Sequence, residues 1–296
     1  MIVANNWKDY EILDMANGQK LEKWGNIILS RPDPQIIWKN KSYPEEWKKA
    51  DAIYSRSKTG GGSWEYKKKL PTVWQVEYKE LTFNIKPMGF KHTGLFPEQA
   101  VNWDWMRDKI KNSNREIKVL NLFAYTGGAT VACLAAGASV CHVDSSKGMV
   151  TWAKENVLSS GLSERPVRYI VDDVKKFVNR EIRRENKYDA IIMDPPSYGR
   201  GANGEVWQFE DSIYDLVELC TKVLSDKPLF FLINSYTTGI SSTVLANILN
   251  LTIAKRYKGK VESGEIGLPM EKSSLVLPAG IFGRWEEVPF GDGGKK

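Results

Sequence analysis

The chain reads as an α/β protein. A mostly parallel, seven-stranded Rossmann-like sheet ends in an antiparallel C-terminal hairpin strand, and a small β-rich domain precedes it. Three observations predict this. From about residue 115, short apolar runs alternate with stretches of helical period, the pattern of parallel strands covered by helices on both faces. No helical pattern separates the last two strands, so they form a hairpin that adds an antiparallel edge. Residues 1–90 instead place aromatic and β-branched residues at period two, interrupted by turn residues.

Composition narrows the class. A length of 296 residues suits one large and one small domain. With 42% apolar and 26% charged residues, the chain has the balance of a globular protein rather than a disordered one. No apolar run approaches the ~18 residues of a membrane span. The start MIVANNWKDYEILD has no basic-then-apolar leader pattern, so a cytoplasmic protein is expected. Cys133, Cys141 and Cys220 lack paired spacing, and only His92 and His142 could join them. Neither a metal site nor a disulfide framework is therefore expected, and each cysteine reads as a small buried hydrophobe. A net charge of +6 with a pI near 9.0 is compatible with a polyanionic partner. The oligomeric state, monomer or homodimer, stays open.

The N-terminal domain spans 1–90. Its segments QKLEKWGNIILSRP and TVWQVEYKELTFNIKP alternate, with turn signals at Asn17-Gly18, Arg31-Pro32 and Pro71. Between them lies SRSKTGGGSWEYKKK (55–69), which has two readings. It is a flexible hairpin tip, or a basic arm whose Lys67, Lys68 and Lys69 meet phosphates while Trp64 and Tyr66 stack on bases. Residues 91–114 connect the domains. Their polar loop is expected over the first strand ends. Their helix has Pro97 in its first turn and Ala100, Trp103, Met106 and Ile110 at helical spacing. Within 115–296, strands are expected at 118–123, 139–143, 167–171, 188–193, 228–233, 258–263 and 274–280. Helices are expected at 128–136, 146–159, 173–185, 210–225 and 240–253.

In an open α/β sheet a ligand binds beyond the carboxyl ends of the strands. After the strand VLNLF come Ala124-Tyr125-Thr126-Gly127-Gly128, where paired glycines allow a tight turn and leave no Cβ against a ligand. The helix start that follows offers unpaired N–H groups. These suit the amino-acid carboxylate of S-adenosylmethionine. The GxGxxG pattern expected for a dinucleotide pyrophosphate is absent. The next strand ends at Asp144, an acid placed to accept both ribose hydroxyls. Its bland role would be to cap the helix from 146, which Ser145 could do equally well. The third strand ends in Asp172 and Asp173. One would accept the adenine amino group while the other caps the following helix, with Asp173 preferred for adenine.

The fourth strand, YDAIIM, runs into Asp194-Pro195-Pro196-Ser197-Tyr198. Its two prolines remove donors and stiffen the loop into a shelf with outward carbonyls. Tyr198 can stack on a planar acceptor such as a base.

These segments carry a resemblance. KHTGLFPEQ (91–99), NLFAYTGG (121–128), HVD (142–144), DDV (172–174) and DPPSYGRG (194–201) make 89–290 resemble one group of class I S-adenosylmethionine-dependent methyltransferases. That group is the bacterial 23S rRNA cytosine-5 methyltransferases (the RlmI-like family). The resemblance implies a methyl-transferring enzyme that uses S-adenosylmethionine and acts on ribosomal RNA. It implies a methionine-moiety site around Tyr125, Thr126, Gly127 and Gly128, with Phe123 and Ser145 beside the cofactor. Ribose falls on Asp144, adenine on Asp173 with Asp172 adjacent, and methyl transfer on Asp194, Pro195, Pro196 and Tyr198. Residues 91–96, with Thr93 and Phe96, would lie near the cofactor. The first 85 residues do not resemble that family's PUA domain.

The chain also departs from the family's chemistry. Cytosine C5 is not nucleophilic, so its methylation needs a cysteine thiolate to add at C6 first. After the fifth strand this chain has Asn234-Ser235-Tyr236 and no cysteine, and the Asp-Pro-Pro loop has none either. Transfer to an already nucleophilic nitrogen or oxygen needs only orientation, proton removal and in-line approach. Competing readings are a methyltransferase for a small molecule or protein side chain, and a non-catalytic nucleic-acid-binding module.

Overall fold

The computed structural model describes residues 1–201 and 204–288. The C-terminal GDGGKK lies outside the described residues. The chain divides into two compact units.

The first unit comprises Met1–Val101, Glu155–Gly161 and Ile266–Ala279. Its elements are β1 (Ile2–Val3), β2 (Tyr10–Ala16), β3 (Gln19–Trp24), β4 (Ile27–Pro32), α1 (Pro44–Trp47), β5 (Ala52–Arg56), β6 (Gly62–Tyr66), β7 (Trp74–Tyr78) and β8 (Leu81–Ile85). Strands β2 to β6 form one sheet in sequence order, antiparallel except for the parallel β4–β5 pair. Strands β7 and β8 form a separate ribbon. Two later segments join this unit. Asn156 Oδ1 accepts the backbone N–H of Asn84 (2.8 Å) and its side-chain amide (3.1 Å). Ile266 and Gly267 pair in parallel with Ile2 and Val3.

A charged group lies at the heart of the five-stranded sheet. Glu22 on β3 and Arg31 on β4 are both buried. Arg31 donates from Nε to Glu22 Oε2 (2.6 Å) and from Nη2 to Oε1 (2.7 Å), and Tyr10 on β2 donates its hydroxyl to Oε1 (2.6 Å). The sequence shows alternation here but not that this acid points inward. The fork geometry satisfies both carboxylate oxygens, which is what makes burial of the pair tolerable.

The second unit comprises Asn102–Lys154, Leu162–Glu265 and the chain from Gly280. A 3-10 turn at Pro97–Gln99 leads into α2 (Ala100–Asn112), with Trp103, Met106 and Ile110 buried along one face. Then follow β9 (Lys118–Leu122), α3 (Gly128–Ala135), β10 (Ser139–Asp144), α4 (Lys147–Ser159), β11 (Val167–Val171), α5 (Val174–Arg183) and β12 (Ala190–Met193). After them come β13 (Tyr198–Arg200), β14 (Val206–Gln208), α6 (Phe209–Cys220), β15 (Phe230–Ser235), α7 (Ser242–Leu251), β16 (Gly259–Pro269) and β17 (Val276–Glu287).

The sheet runs β17-β15-β12-β9-β10-β11. All neighbours are parallel except β15–β17, which is the expected antiparallel strand. With β16 and the two-residue β1 the sheet has eight strands, one more than expected. β12 and β15 are buried along their whole length, as continuous apolar runs require when helices cover both faces. Among helices, α5 shows the pattern most plainly, burying Val174, Phe177, Val178 and Glu181 at the i, i+3, i+4, i+7 spacing of one face. Among the described residues, no helix is long and apolar enough to cross a membrane.

The Glu22 pair sets a stability prediction for the first unit. Burial alone would raise the Glu22 carboxyl, but the Arg31 charge and the hydrogen bonds from Arg31 and Tyr10 overcome it and hold it at about 2. A carboxyl depressed on folding contributes stability that is present above its ordinary value near 4.5 and lost as pH falls toward 2. Glu22→Gln leaves Arg31 buried beside a neutral amide. It should cost about 3–5 kcal/mol in urea denaturation at pH 7, and the variant should lose this part of the acid sensitivity.

Candidate active site

The order β12-β9-β10 makes β9 the switch point of the sheet, since the chain leaves it toward β10 and later returns on its other side as β12. The loops after β9 and β12 therefore flank a crevice at the carboxyl ends of the strands. Phe123–Gly127 forms one loop and Asp194–Ser197 the other.

The loop after β9 has a rare backbone. Phe123 (φ 54°), Tyr125 (φ 52°) and Gly127 (φ 80°) are all left-handed. For the two non-glycine residues this costs ~1–3 kcal/mol each, a pattern concentrated at functional sites. Local hydrogen bonds hold it: Ala124 N–H donates to Val143 O (3.0 Å), Gly127 N–H to Ala124 O (3.0 Å) and Val131 N–H to Gly127 O (2.8 Å). The tight turn expected of the paired glycines is made at Gly127, and both glycines also admit neighbouring side chains. A Cβ on Gly127 would stand 2.9 Å from Ala153 Cβ on α4, and one on Gly128 would stand 2.9 Å from the Trp103 ring on α2. Protein side chains, not an open ligand face, occupy the space these glycines leave. Thr126, between them and Tyr125, is buried.

Asp144, at the end of β10, is half-buried and joins two loops. Its Oδ2 accepts the Tyr125 N–H (2.9 Å) and its Oδ1 the Ser146 N–H (2.8 Å). Burial raises its pKa, and those two N–H groups work against the rise. An ionised carboxylate has about four acceptor positions, so each oxygen can still accept a second hydrogen bond. The cap of α4 is Ser146, whose Oγ accepts Met149 N–H (3.4 Å), and not Ser145, which is exposed. The helix starts at Lys147, one residue later than expected. Behind the loop, Asn121 donates to Thr130 Oγ1 (3.0 Å), which lies 2.8 Å from His142 Nδ1. Burial pushes His142 down to about 4, so the ring stays neutral at physiological pH.

At the end of β11 the roles of the two acids differ from expectation. Asp173 is the cap of α5, its Oδ1 accepting Lys176 N–H (2.8 Å), because α5 begins at Val174. Asp172 accepts the Asp173 N–H (2.8 Å) and pairs with Arg180 in the second turn of α5. Asp173 nevertheless also lines a cavity of about 520 Å3, together with Phe123, Val174, Glu205, Trp207 and Leu216. That volume falls in the usual range for a small-molecule site, and an aromatic pair forms part of its wall, with the Phe123 and Trp207 rings 5.2 Å apart.

Beyond β12, Asp194 is half-buried, Pro195 buried and Pro196 exposed. The structure adds an element the sequence reading missed, the hairpin β13–β14, in which Tyr198 pairs with Gln208 and Gly199 with Trp207. Three-residue strands around a glycine-rich turn read as loop, and only the isolated aromatic Trp207 hinted otherwise. Trp207 Nε1–H donates to Pro196 O (2.6 Å), Phe209 N–H to Ser197 O (3.0 Å), and Ser197 Oγ lies 2.9 Å from Thr237 Oγ1. Lys176 on α5 holds Glu205 at the hairpin (2.6 Å). Tyr198 is 54% exposed and accepts from Arg200 Nε (2.9 Å).

All three cysteines are buried. Burial pushes Cys133 up to about 12, Cys141 up to about 11 and Cys220 higher still. The end of β15 is tied into a buried amide network. Asn234 Oδ1 accepts from Asn102 Nδ2 (2.9 Å), and Asn102 Oδ1 accepts from Arg284 Nη2 (2.7 Å). Thr93 and Phe96 belong to the first unit. There Thr93 is fully buried, with its carbonyl accepting Lys86 N–H (3.2 Å), and the half-buried Phe96 ring lies 5.7 Å from that of His92.

The chemistry of these groups fits S-adenosylmethionine: a strand-end carboxylate with acceptor capacity to spare, a second acid on an aromatic-walled cavity, and a helix start after a tight loop. Comparison with known proteins agrees. Residues 56–240 match the family described as S-adenosylmethionine-dependent methyltransferase. A ribosomal RNA large subunit methyltransferase K/L from Shewanella frigidimarina (strain NCIMB 400) is 34% identical over 145 residues, 48% of this chain and 20% of that protein. Its namesake from Pseudoalteromonas atlantica (strain T6c / ATCC BAA-1087) is 37% identical over 117 residues, 39% of this chain and 16% of that one. The chain thus spans only 16–20% of the length of these two relatives. The crystal structure of a SAM dependent methyltransferase from Agrobacterium tumefaciens superposes with a TM-score of 0.90 at 36% identity, covering 96% of this chain and 92% of that one. The fold and the match over more than half of its residues assign the chain to the S-adenosylmethionine-dependent methyltransferase family, enzymes that use S-adenosylmethionine as methyl donor.

Proposed function

We propose that the enzyme methylates RNA, at a nitrogen of a nucleotide base, and that ribosomal RNA is the substrate. The observation that carries the reading is the rigid, partly exposed Asp194–Tyr198 shelf at the sheet's switch point, combined with thiols that are all buried and held protonated. Bound S-adenosylmethionine supplies an electrophilic methyl group on a sulfonium. A ring or exocyclic nitrogen is nucleophilic enough to accept it without covalent activation of the base.

The residues take these roles in the proposal. Asp144 accepts the ribose hydroxyls with the acceptor positions that Tyr125 and Ser146 leave. Asp173 and Phe123 border the adenine, with Asp172 fixed behind them by Arg180. Tyr125, Thr126, Gly127 and Gly128 present the loop backbone and helix start to the methionine carboxylate, with Ser145 alongside. Asp194 accepts from the target nitrogen and draws its proton away. The Pro195 carbonyl is the second acceptor, since Trp207 occupies that of Pro196. The exposed Tyr198 ring stacks on the base. For Thr93 and Phe96 a cofactor role rests on the resemblance of 91–99 to the RNA cytosine-5 methyltransferase group. The division into an RNA-facing N-terminal domain over 1–90, a connector and a methyl-transfer domain over 115–296 belongs to the same reading, as does a cytoplasmic location. The large-subunit ribosomal RNA methyltransferases to which the chain is similar support the choice of acceptor.

The reading is tested by mass spectrometry of nucleosides from ribosomal RNA incubated with the protein and S-adenosylmethionine. A methylated base nitrogen is expected, and 5-methylcytosine as the product would overturn the proposal. Asp144→Asn should weaken S-adenosylmethionine binding about 10- to 100-fold by calorimetry, since hydrogen bonds to a charged acceptor are worth ~1.5–3 kcal/mol. Trp207→Phe keeps an aromatic cavity wall but loses the donor to Pro196. It should lower kcat about 10-fold through misplacement of the shelf, with cofactor affinity changed less than about threefold.

A further inference from the structure

The basic arm read from the sequence is largely spent within the first unit. Lys67 pairs with Glu65, Lys68 lies 2.9 Å from Asp51 Oδ1, and Trp64 Nε1–H donates to Met88 O (2.7 Å). A different group of cations in that unit is not neutralised. Lys20 at the start of β3, Arg56 at the end of β5 and Lys91 converge on the end of β4. Lys20 Nζ lies 3.3 Å from Asp33 Oδ2, and Lys91 Nζ donates to the neighbouring Pro32 carbonyl (3.3 Å). The parallel register of β4 and β5 pairs Leu29 with Ala52 and Ser30 with Ile53. Arg56, at the other end of β5 from Ala52, is close enough to act on the Lys91 charge. Arg31 fixes the loop by donating from Nη1 to Lys91 O (3.0 Å), while its charge is committed to Glu22.

The charge balance is uneven. Lys91 faces the cations Lys20, Arg56 and Arg31 and the single carboxylate Asp33. Of the other titratable groups nearby, Glu22 and Glu98 face Arg31. His92 is held neutral, burial and the surrounding cations lowering it to about 4. Lys20, Arg56, Lys91 and Arg31 stand against Asp33, Glu22 and Glu98, a formal excess of one positive charge on a partly desolvated set of strand ends. Burial, together with its cationic neighbours, pushes Lys91 down to about 8. An anion bound among these groups would relieve that repulsion.

We propose that Lys20, Arg56 and Lys91 form a binding site for a backbone phosphate of the RNA substrate. The inference rests on the reading of RNA as methyl acceptor and adds where on the N-terminal unit its backbone is gripped. A phosphodiester carries one negative charge and accepts several hydrogen bonds at once, which suits three cationic donors around one point. Such contacts fix the register of the chain without reading its sequence.

The test uses the full chain and a fluorescent single-stranded oligoribonucleotide, with anisotropy measured across a series of KCl concentrations. Lys20→Gln/Arg56→Gln should bind about 10-fold more weakly. Its plot of log affinity against log salt should be shallower by about 1.4, from two charges at ~0.7 each on single strands. Its thermal melt and its calorimetric affinity for S-adenosylmethionine should match the parent chain. As pH rises from 7 to 9 the parent should lose RNA affinity while Lys91 discharges, and Lys91→Arg, whose charge persists, should not. Unchanged affinity and salt slope in the double variant would overturn the site, as would a parent affinity that stays level across that pH range. If the parent chain binds no RNA at low salt, the RNA reading itself falls and takes the site with it.

Discussion

Asp144 accepts the backbone N–H of Tyr125 through one carboxylate oxygen and that of Ser146 through the other, so the loops after β9 and β10 are tied at one group. The geometry of the candidate site depends on this tie. Tyr125 is left-handed, and so is Phe123 two residues earlier. A chain bearing side chains there would relax without a fixed acceptor for its N–H. The carboxylate stabilises the strained loop and, in the proposed function, also faces the ribose. Structural and binding duties in one side chain explain why neither an alanine nor an amide would reproduce it.

The rest of the pocket follows from packing around this loop. Gly127 lets the loop turn left-handed and lets Ala153 of α4 approach, while Gly128 admits the Trp103 ring of α2. Both helices can then pack hard against the sheet's central strand ends, and the loop between them has little freedom. On the opposite side of the switch point the second loop is held by different means. Trp207 grips Pro196 O, Thr237 meets Ser197, and Phe209 N–H caps the Ser197 carbonyl. Trp207 also packs on Phe123, so one indole touches both loops.

Much of this was legible in the sequence, and the unread part shares a physical cause. Buried parallel strands such as Ala190–Met193 and Phe230–Ser235 announce themselves as unbroken apolar runs, and α2 announces itself by spacing behind Pro97. The candidate acids at 144, 172, 173 and 194 could be picked out because strand ends are few and acids at them stand out. Which of Asp172 and Asp173 caps α5 could not, because a shift of one residue in the helix start exchanges their roles. The β13–β14 hairpin was hidden because three-residue strands carry too short a pattern. The left-handed Phe123 and Tyr125 were hidden because their conformation is imposed by Asp144, a contact across 19 residues of sequence. Glu22 was hidden because an acid in an alternating strand reads as solvent-facing unless its partner on the next strand is known.

The cysteine question shows how sequence and structure constrain the same chemistry from different sides. The absence of a thiol after β15 argues against the attack at C6 that cytosine-5 methylation needs. By itself it leaves open that a thiol from elsewhere folds into reach. In the structure each cysteine is buried within a regular element. Cys133 lies on α3, Cys141 within β10 and Cys220 at the end of α6. All are buried, and burial pushes each well above the range in which a thiolate would be available. In place of a nucleophile, the end of β15 carries Asn234, locked to Asn102 and through it to Arg284. A position engaged in a buried amide network holds the shelf's surroundings rigid and takes no part in bond making. The shelf also carries two acceptors, the Asp194 carboxylate and the Pro195 carbonyl. Acceptors recognise an N–H and can take its proton. In the proposed function, that capacity matches them to a base nitrogen as methyl acceptor.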